Sequence, residues 1–226
     1  MEKVKKFRRI RALVSIILAS PAIRLDLSLL FGLLMNLVYI IENLATAIFQ
    51  RSVWAATVTV YHSLFIALRA YILRSRRLDE VGKMGNAKIH RICLRVGVIL
   101  LLLDFSASTL MLYTMRLGRH TEYSGVVLFG FVLYTAYSLC SSINGLIKWS
   151  NDNKPLHFAA RNITLAAALM SLFNLHYSLL SSLGLDSDFI GRIGAAGGFL
   201  VFFTMILLAL HLIFRSATRV YRSQNS

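Results

Sequence analysis

The sequence predicts an all-α fold: a polytopic bundle of six transmembrane helices, with an N-terminal amphipathic helix at the membrane interface. Three observations carry this. First, 57% of the 226 residues are hydrophobic, more than the roughly 45–50% of an ordinary soluble domain, and they are gathered into long blocks instead of being spread at amphipathic spacing. Second, each block is close to the ~20 residues that cross a ~30 Å hydrocarbon core as helix. Third, Lys and Arg collect at alternate ends of the blocks, the pattern by which short loops record their side of the membrane. The two prolines, Pro21 and Pro155, fall outside the blocks, so no span is predicted to be kinked.

Residues 1–24 form the first element. Val4, Phe7, Ile10, Val14, Ile17 and Leu18 follow helical spacing, with Lys5, Arg8, Arg9, Ala12 and Ser15 opposite, as expected of a basic helix lying in the headgroup plane. A signal peptide fits less well, because the apolar stretch is short, Pro21 follows at once and no small-residue cleavage site is clear.

The six spans are expected at residues 25–49, 53–73, 92–115, 124–147, 162–185 and 193–214. Gln50-Arg51 makes a tight turn between the first two. A basic segment, residues 74–95, follows the second span, with Gly82 and Gly85 interrupting what reads as a short helix. The turn 116–123 leads into a fourth span free of charge, and the polar linker 148–157 leads towards the fifth. Residues 215–226 remain as a short polar tail. The even spans end alike, in Ile72-Leu73-Arg74-Ser75, Leu146-Ile147-Lys148-Trp149-Ser150 and Leu212-Ile213-Phe214-Arg215-Ser216. Three related hairpins would produce this, but so would the plain need for interfacial anchors where a helix leaves the membrane.

Of the 25 Lys and Arg residues, 21 fall on one side: the N-terminal segment, residues 69–95, residues 148–161 and the tail. Only Arg51, Arg116, Arg119 and Arg192 fall on the other. The positive-inside rule then places both termini in the cytoplasm, with the chain in a bacterial plasma membrane. The formal charge of +15 sits at the ends of apolar blocks, where anionic inner-leaflet headgroups are the nearest partner. No groove-reading or stacking element accompanies it, which argues against nucleic acid. Cys93 and Cys140 both fall towards the reducing side, where a structural disulfide is not expected. Without His or Asp at ligand spacing they make no metal site.

Leu37-Val38-Tyr39, then Trp54, Tyr61 and Arg69, followed by Arg91-Ile92-Cys93 before a run of leucines, resembles a family of clostridial-type six-span bacterial membrane proteins. The segment from Asn162 to Ser171 is similar to the fifth span of that family. The resemblance covers most of the chain and implies a topology but no activity. Members of that family carry an amide or apolar residue where this chain has Asp104, so the resemblance does not extend to a role for this carboxylate.

Ionisable side chains inside a bilayer cost about 2.5–3.5 kcal/mol or more and so default to functional hypotheses. Glu42 is expected in the outer part of span one, and His62 and Asp104 near the centres of spans two and three. Asn36, Tyr39, Asn43 and Thr46 line up beside Glu42 as a polar stripe. One reading is a proton or cation site in which Glu42 and Asp104 bind and His62 relays, since burial brings carboxyl and imidazole groups towards the same titration range. The other is a set of hydrogen bonds across helix interfaces, worth about 0.6 kcal/mol each. Small and weakly polar stripes on span four (Tyr134, Ser138, Ser141, Ser142, Gly145) and span five (Thr164, Ala168, Ser171, Asn174, Ser178, Ser182) read as close helix packing. Gly194 and Gly198 form a GxxxG pair with the same meaning, within the chain or between copies.

No HExxH, GxxxxGK[ST] or GxSxG motif occurs, and no cofactor is implied. The loops are too short for a separate catalytic domain, so an enzyme is not expected. The sequence therefore points to a small-solute or ion transporter, proton-linked through the intramembrane carboxylates. The alternative is a non-transporting component that binds another membrane protein, a second copy of itself or anionic lipid.

Overall fold

A computed structural model describes residues 21–82, 84–116, 125–148, 154–183 and 186–224, and all regular structure among them is helical. The six helices are α1 (Pro21–Gln50), α2 (Val53–Glu80), α3 (Asn86–Arg116), α4 (Gly125–Lys148), α5 (Pro155–Ser182) and α6 (Ser187–Gln224). Each is long and apolar enough to cross a membrane. The predicted interfacial helix falls largely on residues 1–20, outside the described residues, while residues 21–24 belong to α1.

α1, α2, α3 and α6 run past their predicted spans, α4 matches its span within a residue, and α5 starts earlier but stops at Ser182. The differences arise because hydropathy marks where lipid contact ends, whereas a helix ends where its backbone is capped. The basic segment after span two is helical on both sides of a short turn: α2 continues to Glu80 and α3 starts at Asn86. The stop comes where Val81 N–H donates to Arg77 O, Gly82 N–H donates to Asp79 O at 2.8 Å and Gly82 takes φ +69°, a left-handed conformation that glycine adopts without a Cβ penalty. At the start of α2, the Ser52 hydroxyl accepts the Ala55 N–H at 3.2 Å. The linker proline Pro155 lies in the first turn of α5, where its fixed φ and missing N–H suit a helix start. The expected polar tail continues α6 as far as Gln224.

Packing neighbours arrange the helices in two layers. α1, α2 and α3 lie side by side, as do α4, α5 and α6. Across the layers α1 faces α4, α2 faces α5 and α3 faces α6, with α3 also touching α5. Facing helices run antiparallel. Phe31 meets Tyr137 while Glu42 meets Gly130, Trp54 near the start of α2 meets Asn174 near the end of α5, and Gly97 meets Ile213 while Met111 meets Gly198. The first three helices thus run up-down-up and the last three down-up-down, as alternating crossings of a six-helix chain do. α3 and α4 are not principal packing neighbours, so the like endings of the even spans do not mark three separate hairpins.

Large apolar side chains, among them Leu34, Ile41, Phe49, Leu102, Phe105, Phe129, Phe199 and Leu200, point outward and are exposed, as lipid-facing residues must. α5 is the most buried helix. Its Ala159, Ala160, Ala166, Ala167 and Ala168 are small enough to let neighbouring backbones approach. On α6, Gly194 and Gly198 are both buried, and a Cβ on Gly198 would collide with Met111 of α3 and Phe173 of α5. This part of the GxxxG pair is spent on contacts within the chain.

Candidate functional site

The buried polar residues on the inward faces of α1, α2, α4 and α5 form one column. Near one end, Trp54 Nε1–H donates to Asn174 Oδ1 at 2.7 Å, and Asn174 Nδ2 donates to the Tyr39 hydroxyl at 2.6 Å. The Tyr39 ring stacks on Tyr134, with centroids 4.3 Å apart, and meets His62 at 4.5 Å. The Tyr134 hydroxyl donates to Asn36 Oδ1, and His62 Nδ1 lies 3.4 Å from the same oxygen. An amide oxygen only accepts, so His62 Nδ1 is the donor and Nε2 is left as the acceptor. Helical spacing explains the alignment: Asn36, Tyr39 and Asn43 share one face of α1, and His62 and Arg69 share one face of α2.

Arg69 lies at the other end of the column. It is 3% exposed, and Nε has no hydrogen-bond partner. Among the described residues no carboxylate is paired with it. Its guanidinium presses on Gly32, where a Cβ would sit 2.7 Å from Nη1, and it faces a small pocket lined by Tyr134, Tyr137, Ser138, Ser141 and Thr164. From Trp54 to Arg69 the column spans about 22 Å of helix axis at about 1.5 Å per residue. Asn36 Nδ2, Asn43 Oδ1 and His62 Nε2 along it are also buried without a partner. Such groups are rare in folded proteins and each costs about 1–3 kcal/mol.

Compared with protein-family models, curated proteins and solved structures, the chain matches none. What the column can do follows from its own chemistry.

The structure brings together some of the sequence candidates and separates others. Asn36 and His62 meet at its centre. Asn43 is fully buried one turn further along α1, where its Nδ2 donates to Tyr39 O at 2.9 Å. Glu42 lies at the α1–α4 edge, partly exposed, with its carboxylate against Gly130. Asp104 is 1% exposed on α3, one residue beyond the Leu103 carbonyl that accepts the Tyr61 hydroxyl at 3.0 Å. Its Oδ1 has no partner. No hydrogen bond joins any two of Glu42, His62 and Asp104, and the two carboxylates occupy different interfaces. The cause is the helix order: α1 packs on α2 and α4, whereas α3 packs on α2, α5 and α6.

Three residues of the column do not stand out in the sequence: Arg69 falls with the basic cluster that follows it, and Tyr134 and Asn174 fall in stripes that read as close packing. The signal for Arg69 was its place seven residues after His62, two helical turns along the same face, inside an apolar run.

Proposed function

We propose that this multi-pass membrane protein is a small-solute transporter whose path is the polar column between α1, α2, α4 and α5. The observation that carries the reading is the column itself: about 22 Å of contiguous buried polar side chains, several without partners, enclosed by a lipid-facing apolar exterior. Structural cross-links alone would be expected to satisfy their own donors and acceptors. In this reading the end bearing residues 81–85 and the basic clusters faces the cytoplasm, and His62 and Asn36 mark the midplane. Glu42 and Asp104 act outside the column, so proton coupling through a shared carboxylate–histidine site is not part of the proposal.

The test is solute flux into vesicles reconstituted with the full chain, screened over small anions, amino acids and sugars, for wild type and for Asn36→Ala and His62→Ala. Saturable flux above protein-free vesicles, reduced at least tenfold in both variants, is expected. A wild type that moves no solute, or column variants with unchanged flux, defeats the proposal.

A specific observation favours a second reading. A groove of about 640 Å³ between α2 and α3 is lined by Arg74, Lys88, Arg91 and Arg95 beside Tyr71, Leu78, Met84 and Ile92. Cations above apolar walls at a membrane surface suit an anionic lipid headgroup, as a non-transporting lipid-binding component would require.

A further inference from the structure

We propose that the Arg69 pocket binds a small oxyanion, a carboxylate or phosphate group, between the guanidinium and the surrounding hydroxyls. The inference deepens the transport reading by naming a substrate class, and it rests on that reading only for the claim that the anion is carried. Three observations converge. Arg69 keeps its charge in any protein environment, is almost wholly buried, and has no carboxylate partner among the described residues. Its guanidinium faces a pocket whose lining includes Tyr137, Ser138 and Ser141, hydroxyl groups that can rotate to donate to an anion. Gly32 removes the one side chain that would push the guanidinium aside, since a Cβ there would lie 2.7 Å from Nη1.

The arrangement selects. A cationic or amine ligand would meet an uncompensated positive charge with no acidic group to hold it. A neutral sugar would leave that charge unneutralised. An oxyanion matches the planar fork of the guanidinium and can accept from it in bidentate fashion.

The experiment is thermal unfolding of the full chain in phosphatidylcholine nanodiscs at constant ionic strength, titrated with formate, acetate or inorganic phosphate against chloride. A saturable rise in melting temperature with at least one oxyanion is expected. The apparent affinity should fall at least tenfold in Arg69→Gln, less in Arg69→Lys, which keeps charge but loses the fork, and also in Gly32→Ala. Should Arg69→Gln not fold, Ser141→Ala and Gly32→Ala carry the comparison. A parallel arm replaces part of the phosphatidylcholine with phosphatidylglycerol and adds no free anion. Stabilisation there that depends on Arg69 assigns the oxyanion to a lipid headgroup, and stabilisation only by soluble anion assigns it to a free solute. No response in either arm, or one that the Arg69 and Gly32 variants leave unchanged, overturns the site. Arg69-dependent binding without flux keeps the site and removes transport.

Discussion

The column shows how the bilayer alters the value of single residues. In water a tryptophan N–H loses little when its partner is removed, because solvent replaces it. Trp54 is 2% exposed, and Asn174 accepts its indole N–H, so Asn174→Ala strands a buried donor. A double-mutant cycle of Trp54→Phe with Asn174→Ala, read by equilibrium unfolding in detergent micelles, is expected to give a coupling energy of about 0.6–1.7 kcal/mol. Additive losses would mean that the bond holds nothing together. At this scale the sequence was half legible. Asn36, Asn43 and His62 announce themselves as polar groups in apolar runs, and all three lie in or beside the column. Charge was a poorer guide than burial. Glu42 and Asp104 drew attention because they ionise, yet neither joins the cluster. Arg69 was hidden by the arginines that follow it, since a solvated and a buried cation look alike in one dimension.

The existence and order of the helices could be read from hydropathy, while their ends could not. The ends depend on local backbone chemistry, such as the left-handed Gly82 and the N-terminal Pro155, which costs no apolar residue and leaves no mark in an apolar count. Close packing between elements was legible only as a pattern of small residues without partners. The structure gives Gly198 its partners, Met111 and Phe173, whereas a Cβ on Gly191 of the same helix meets nothing within 4 Å. Gly198→Val is therefore expected to destabilise by about 1–3 kcal/mol through overpacking, with partial recovery in the Met111→Ala background. Gly191→Ala should stay within about 0.5 kcal/mol of wild type. Thermal denaturation of the four proteins checks this, and equal effects at the two glycines would contradict the packing described.

At the scale of the whole molecule, the facing of α1 with α4, α2 with α5 and α3 with α6 has no mark in the sequence, because membrane helices share so little beyond apolarity that hydropathy does not encode which of them pack together. The same assembly depends on a modest feature, the two-residue link Arg51-Ser52 between α1 and α2. α2 is the least apolar of the six helices and carries Arg69, whose charge is a cost in a lone membrane helix, though below the about 2.5–3.5 kcal/mol of a central position because it lies two turns from His62. With so short a link, and with the Arg69 guanidinium against Gly32 of α1, α2 is expected to enter the membrane as one arm of a hairpin with α1. Replacing the link with a long glycine-serine stretch is accordingly expected to leave a measurable share of newly made chains with α2 outside the bilayer, scored by glycosylation tags placed after Glu80. Arg69→Leu should abolish that defect. The buried charge that would bind the cargo is also the charge that obliges the first two helices to enter the membrane together.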